Sequence, residues 1–509
     1  MKNNSTIRKN NAVLICTIFF VFSLSAQTSK IVISVPGVNE YTSINMKGKT
    51  VLPSGRYLTP AGQTIQITNK PFGLAISPDG RKSVTLHNGV ITIIDNSTLS
   101  SIRIPSYDGL IPSPLKMGAF LGVSFAKSND IVYLSGGDNG AVIVYDIVNL
   151  KQVDSISLNG MINGEFFDDS FTSDLIYNDK NNELLVLDRG NFRMVKINLS
   201  TRQLIASIKT GRQPFGLAIS PDHQFAFVAN VGMYDYPLMP DLTPKNYDSL
   251  LLPWHPYGND TKESIDGYTF NGRQVPGLGS PSAPEAMSVY TIDLLSNQVI
   301  DRYKPGFQIG QMIEGAEVVG GASPNSLAVG NKYAYVTNAT NDNISIIDYK
   351  NHKIIGTIDI KVSPIIDAYR GLIPFGITLS KDERTLYVAL LGFNAIAVID
   401  IATKKTIGLM PSAWGPARIR LSPDEKELYV ISFRGYGAGP NGGLGFVSPI
   451  QGTYIGNIQL GTFQKIYIPD ANSLKVYTKQ CIENTYKIDK VENPVMLTRQ
   501  IRCKMTTLS

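Results

Sequence analysis

Seven stretches of this chain repeat nearly the same order of residues, and that repetition constrains the fold more than any single motif. The clearest copy starts Pro374-Phe375-Gly376-Ile377-Thr378-Leu379-Ser380, continues through Leu386-Tyr387-Val388-Ala389 and ends at Ala397-Val398-Ile399-Asp400. The others extend over Pro71 to Asp95, Phe120 to Asp146, Thr172 to Asn198, Pro214 to Asp293, Ser323 to Asp348 and Gly415 to about Ser448. Each holds three short β-type runs, and a fourth follows, as in Lys405-Thr406-Ile407-Gly408. A unit of roughly 40–55 residues with four strands is one propeller blade, WD40-like in length. One blade leaves both faces uncovered, whereas seven stacked around an axis bury them, so the fold depends on the whole set. The predicted class is all-β: a seven-bladed β-propeller of four-stranded antiparallel blades over residues 27–460, with a long insert at about 231–286.

Residues 374 to 408 give the grammar of one blade. Pro374 and Gly376 open the innermost strand, where backbones crowd toward the axis and small residues let them approach. Ile377 and Leu379 alternate with Thr378, giving one apolar face. The following turn recurs as Ser77-Pro78-Asp79-Gly80, Ser220-Pro221-Asp222 and Ser422-Pro423-Asp424; proline presets it and Asp bonds nearby backbone.

The same order appears at Tyr335-Val336-Thr337-Asn338 followed by Asn343-Ile344-Ser345-Ile346-Ile347-Asp348. It resembles the YVTN family of YncE-like β-propeller repeat proteins from about residue 60 to 460. The unit at 172–198 departs from it, with Leu184-Leu185-Val186-Leu187 in place of the tetrapeptide and no Pro-x-Gly, and the first unit has Ser83-Val84-Thr85-Leu86. Two segments compete to complete the seventh blade. Gln63 to Thr68 has strand character with no blade before it, and Tyr454 to Leu460 also reads as an outer strand. The N-terminal candidate is preferred, because it clasps the ring and covers an open edge.

Composition fits a large core, with 43% hydrophobic residues. The basic start Lys2, Arg8, Lys9, the short apolar run Ala12 to Phe22 and the small residues Ser23, Ser25 and Ala26 read as a signal peptide over 1–26. Losing it would remove three positive charges and take the formal charge from +6 to +3. That is too weak and scattered for a nucleic-acid partner. No later stretch is apolar enough to cross a membrane, so the expected location is periplasmic or secreted. Cys481 and Cys503 remain after cleavage, either as a disulfide in the tail or as free thiols.

Loop length points to the face that binds. Connections from outer to next inner strand, and from second to third strand, share one end of the ring. At that end lie Pro105 to Met117, Asn159 to Ser170, Pro305 to Gly321, Lys361 to Ile373 and the insert from about Val231 to Ala286. Connections at the other end are short. Long loops on a rigid scaffold are where binding concentrates.

Ligand-binding candidates on that rim are Arg189, Arg212, Arg370, Arg418 and Arg434, with Tyr234 and Trp254 from the insert. Converging guanidinium forks would make an anion-binding mouth; the plainer reading has them bridging blades through backbone carbonyls. The insert aromatics form either a stacking platform or packing against the ring. Its carboxylates, Asp235, Asp241, Asp248, Asp260, Glu263 and Asp266, match no metal-loop spacing and read as solvated.

No nucleophile elbow, P-loop or dinucleotide fingerprint stands out. His87, His223, His255 and His352 show no ligand spacing, and no Cys-x-x-Cys-His appears. No catalytic residue, metal or cofactor is therefore assigned. The repeats also resemble propeller lactonases at fold level, which implies a metal at the mouth held by residues such as Asn139, Asn191, Asn230, Asp342 and Asn343. As turn residues these are otherwise accounted for.

Beyond about Leu460 the repeat stops, leaving 461–509 as a tail or truncated linker. Tyr477-Thr478-Lys479-Gln480 followed by Asn484-Thr485-Tyr486 resembles the linker of exported proteins that join a YncE-like propeller to an alkaline-phosphatase-family domain. That resemblance implies a phosphatase partner domain in full-length relatives. No clustered Asp, His and nucleophile follow Asn493 here, so phosphatase activity is not expected of this chain. Met496 to Ser509 has neither strand pattern nor core; a disordered end and a shifted reading frame both account for it. The expected function is that of an exported, non-catalytic binding module for a protein, glycan or small anionic ligand.

Overall fold

A computed structural model describes residues 30–116, 118–119, 121–237, 239, 243, 261–366, 369–438 and 459–491. Seven four-stranded antiparallel sheets are present among them, so the chain is a seven-bladed β-propeller. The inner strands are Gly73–Ile76, Val123–Phe125, Thr172–Asn178, Pro214–Ile219, Pro324–Val329, Pro374–Leu379 and Trp414–Leu421. In the sixth blade Thr385–Leu390 and Ala395–Asp400 follow, buried almost throughout, and Lys405–Pro411 lies outermost. Outer strands alternate: Lys353–Asp359 of the fifth blade exposes every second side chain, as expected when one face packs on a neighbour and the other meets solvent.

Two local devices repeat. Five blades carry a register shift one residue before the end of the third strand, between Val144 and Tyr145, Lys196 and Ile197, Thr291 and Ile292, Ile346 and Ile347, and Val398 and Ile399. Such bulges increase strand twist, which lets sheets radiate from one axis. The closing turn is set by the strand's last residue. Asp95 Oδ1 accepts from the backbone N–H groups of Ser97 and Thr98 at 3.0 and 2.9 Å, and these bonds with the Ser97 hydroxyl pull its carboxyl down to about 2. The turn between first and second strands is equally fixed. Ser77 Oγ donates to Asp79 Oδ1 at 2.6 Å and accepts from Lys82 N, and Asp79 Oδ1 accepts from Arg81 N. The same serine–aspartate bond recurs at Ser220–Asp222, Ser380–Asp382 and Ser422–Asp424.

The ring closes with the N-terminal strand. Gln63–Asn69 pairs antiparallel with Leu460–Tyr467, with Phe463 opposite Ile65. Gln464 Nε2 donates to the carbonyls of Ala61 and Pro411 at 2.6 and 3.1 Å. Two expectations need correcting. The third strand of the last blade is Leu460–Tyr467, not a run near Ser448, so the sheet extends past residue 460. Tyr454 lies outside the described residues. The displacement comes from a long connection between Glu427–Gly435 and Leu460–Tyr467, which breaks the repeat spacing.

The segment expected to be a tail is structured. Asp470 caps a helix, Ala471–Thr485, by accepting from Ser473 N at 2.7 Å. Leu474 fills the space a side chain on Gly408 would take, and Thr478 Oγ1 accepts from Leu409 N at 2.9 Å. Gln480 and Asn484 donate to Thr59, and Tyr486 packs its ring edge-on to Tyr369 at 5.2 Å. The residues that resemble a linker motif therefore hold this helix on the sixth blade. Cys481 is a buried free thiol, pushed well above its usual range by burial; Cys503 lies outside the described residues, as does the segment 1–26. A separate small unit contains an antiparallel pair, Lys30–Ser34 with Lys487–Val491. No helix among the described residues is long and apolar enough to cross a membrane.

Phe463 is fully buried and stacked on Tyr429 at 5.5 Å. Phe463→Ala is expected to cost about 3–5 kcal/mol of stability, measured by urea unfolding, because the cavity opens inside the clasp.

Candidate functional site

The axis is built from the openings of the inner strands, which read Pro-x-Gly in the first, fourth and sixth blades. A Cβ at Gly73, Gly122, Gly216 or Gly376 would stand 2.2–2.6 Å from a carbonyl oxygen in or just before the next inner strand, so these four blades require glycine there. Counting back from the first turn of each blade, the equivalent positions in the fifth, third and seventh blades hold Ser326, Asp174 and Arg418. Arg418 Nη2 donates to Asp174 Oδ2 at 2.8 Å, and both side chains are buried. This pair spans the axis between nearly opposite blades. The residue before the glycine position also matters. Phe72, Phe215 and Phe375 meet there, with centroids 6.2 Å apart for Phe72–Phe375 and 5.8 Å for Phe215–Phe375, and Phe433 stacks on Phe72 at 5.4 Å.

The long connections all open at the end where inner strands begin. They include the hairpins Gly160–Ile162 with Glu165–Phe167, Gly267–Phe270 with Arg273–Pro276, and Met312–Ile313 with Ala316–Glu317. Basic side chains tie these loops to the ring and to one another. Arg212 is buried; it donates from Nη1 to the carbonyls of Met233 and Ser280 at 2.9 and 2.7 Å, and meets Asp235 at 2.6 Å and Glu285 at 3.0 Å. Lys304 donates to the Ala283 and Ala286 carbonyls, and burial pushes its ammonium down to about 8. Arg370 and Lys361 both pair with Glu314 at 2.9 Å, and Arg370 also donates to the Asn341 carbonyl. Arg193, which the sequence reading passed over, pairs with fully buried Asp188 at 2.8 Å and lies 3.6 Å over the Phe167 ring.

The predicted arginines are thus each engaged locally. Arg189 Nε donates to Gln213 Oε1 at 2.5 Å. Arg434 lies 5.0 Å from the centroids of both Trp414 and Phe433. Arg418 is not a rim residue: the strand register carries it down the channel to Asp174. Tyr234 packs edge-on against Tyr236 at 5.7 Å; Trp254 and His255 lie outside the described residues. Asn139, Asn191, Asn230 and Asn343 bond within their own blades or to the adjoining connection, and Asp342 accepts from Gly371 N and Ile373 N. Among the described residues no three His, Cys, Asp or Glu side chains cluster as a metal site. His223 pairs with Asn178 and Asp179, and His352 with Asp301.

The long loops also present large apolar side chains outward. Tyr107 (90% exposed) and Leu110 (80%) project from one connection, Met161 and Phe166 from the next, Tyr236 and Phe270 from the insert, and Met312, Val319 (76%) and Ile365 from the two after it. A groove of about 530 Å³ runs between the last two connections, lined by Ile313, Val318, Val319 and Ile373, with Arg370 and Glu314 at its edge. At the opposite end Val148 and Leu295 are the large exposed apolar residues of the short turns.

No family model matches the chain. A 98-residue segment is 34% identical to the seven-bladed beta-propeller protein Rv1057 of Mycobacterium tuberculosis, covering 19% of this chain and 22% of that protein. One solved chain, from Kuenenia stuttgartiensis hydrazine synthase, overlaps 72% of this chain and 94% of its own length at 15% identity, with a TM-score of 0.48. The short match agrees with the seven-bladed ring seen directly.

Removing one partner of the axial pair strands a buried charge. Arg418→Met is expected to cost about 3–5 kcal/mol, whereas Arg418→Met with Asp174→Leu returns to within about 1 kcal/mol of the parent; urea unfolding of the two variants separates these cases. His87 provides a pH test. It is buried with Nδ1 2.6 Å from the Lys70 carbonyl oxygen, and burial pushes its imidazole from 6.5 down to about 4. The unfolded chain takes up the proton first, so this contribution is full above pH 6.5 and lost as pH falls toward 4. It amounts to about 3 kcal/mol, and His87→Gln should remove that component from stability curves measured between pH 7 and 4.

Proposed function

We propose that this chain is an exported, non-catalytic propeller that binds a protein partner on its long-loop end. The observation that carries the reading is the set of large apolar side chains exposed on five neighbouring connections. Large apolar side chains exposed together at the tips of long loops on one end mark a protein-binding face, and aromatic and Met side chains are enriched at such interfaces. The loops are held by buried or paired Arg212, Lys304, Arg370 and Arg193. An anchored surface loses less freedom on binding than a mobile one, which favours affinity. The groove beside Val319 and Ile373 suits one or two apolar side chains of that partner. The leader-like start supports export, and the YncE-like grammar supports kinship with the recognition half of propeller–phosphatase proteins.

The test is co-precipitation from periplasmic extract with two variants. Tyr107→Ser with Leu110→Ser should weaken capture of the principal partner at least about tenfold, a loss of about 1.4 kcal/mol. Leu295→Ser at the opposite end should leave it unchanged. Equal capture by the parent and the rim variant would overturn the reading.

A further inference from the structure

The end of the ring away from the long loops holds a cavity lined by two arginines. Arg418 and Arg420 alternate around Ile419, which is buried between the sixth and seventh blades, so both arginines face the channel. Arg418 is neutralised by Asp174. Asp174 is already engaged elsewhere: its oxygens also accept from the backbone N–H groups of Leu175 at 3.1 Å and Leu217 at 3.3 Å. Arg420 is different. Its one hydrogen bond among the described residues runs from Nη1 to the carbonyl of its neighbour Ile419, at 3.2 Å, and no carboxylate there pairs with it. A guanidinium has five N–H donors, so the rest of this fork is unmatched by protein.

Those donors border a cavity of about 490 Å³ that also exposes Asp174 and Arg418. Its mouth is formed by Pro78, Pro423 and Lys127, from the short turns, and its walls mix polar groups with apolar inner-strand residues such as Leu74, Val123 and Leu217. The remaining carboxylate at the mouth, Asp179, lies 3.5 Å from His223 Nε2. The pit therefore carries a fixed positive charge among partly apolar walls, in the size range of small-molecule pockets. Burial and the neighbouring Arg418 charge both push the Arg420 guanidinium down to about 10, against a smaller opposing pull from Asp174. It stays protonated at neutral pH, and among the described residues no carboxylate forms an ion pair with it.

We infer that this pit binds a small carboxylate or phosphate anion on Arg420, as a site separate from the long-loop face. A planar fork matches two oxygens of either group at once, and the apolar wall residues admit a short carbon chain beside it. Lys127 at the mouth adds attraction on approach.

Calorimetric titration of the full chain with inorganic phosphate and with succinate, each at ionic strength matched by chloride, tests the inference. One of the two is expected to bind at about millimolar Kd or tighter, and which one does so identifies the group recognised. Arg420→Met should weaken that binding about tenfold or more, and Arg420→Lys, which keeps the charge but not the fork, should fall between. The lysine variant serves if the methionine variant does not fold. Tyr107→Ser with Leu110→Ser should leave anion binding intact, so failure of the rim reading and failure of this one are distinguishable. Absence of binding by both anions, or binding unchanged in Arg420→Met and Arg420→Lys, would overturn the inference.

Discussion

Everything in this molecule depends on the strand that arrives from the wrong end of the chain. A row of six complete sheets and one incomplete sheet has open edges, and open edges cost unpaired backbone groups. Gln63–Asn69 supplies the missing outer strand of the seventh blade by pairing with Leu460–Tyr467. The join is covalent in effect, because the N-terminal strand leads directly into the first blade. Phe463, Tyr429, Ile431, Leu74 and Ile94 then form one cluster across the seam between seventh and first blades. Lys465 adds a cross-seam bond to the Asn96 carbonyl at 2.9 Å.

Closure fixes the number of blades, and the number fixes what meets at the centre. Between the third and seventh blades lie three blades on one side and two on the other, so their inner strands face each other almost directly. Asp174 and Arg418 occupy the glycine position of these two strands and so face across the axis. A buried ion pair is weak evidence of added stability, since desolvating both charges offsets most of their attraction. Its clearer effect is geometric: it divides the channel, with the phenylalanine cluster toward the long loops and the Arg420 pit toward the short turns.

The ring itself was legible because blade grammar is local. Pro-x-Gly, the Ser-Pro-Asp turn and the alternating strands each act within a few residues, and several copies repeat them. The preference for Gln63 as the clasp was correct for a physical reason, since a strand without a blade must pair with something. The last blade was misread where local grammar was interrupted by the long connection before Leu460. The helix at Ala471–Thr485 was missed because its buried face is narrow, with Leu474, Cys481 and Thr485 buried; its contacts are with Gly408 and Thr59, distant in sequence. The arginines were recognised as a group, but their partners were not. Glu314, Glu285 and Asp174 lie tens to hundreds of residues away, and only the closed ring brings them near. The signal that could have found Asp174 and Arg418 was present: two charged residues stand where the repeat otherwise uses small ones.

The two ends of the ring thus differ by construction. At the short-turn end many connections satisfy their own backbone with a Ser–Asp or Asp-based turn, as at Ser422–Asp424 and Asp400. Such turns offer few free groups to a partner. At the other end the longer connections are held in addition by buried or paired basic side chains, which bond carbonyls and carboxylates across loops and blades. That use consumes the positive charge of Arg212 and Arg370 and leaves the loop tips free to be apolar. Arg420 escapes this role because it borders the cavity below the axial pair, which is lined among the described residues by inner strands and short turns. Cation and apolar surface are therefore separated along the axis, and a ligand recognised by charge and one recognised by apolar contact have different ends of the same ring to occupy.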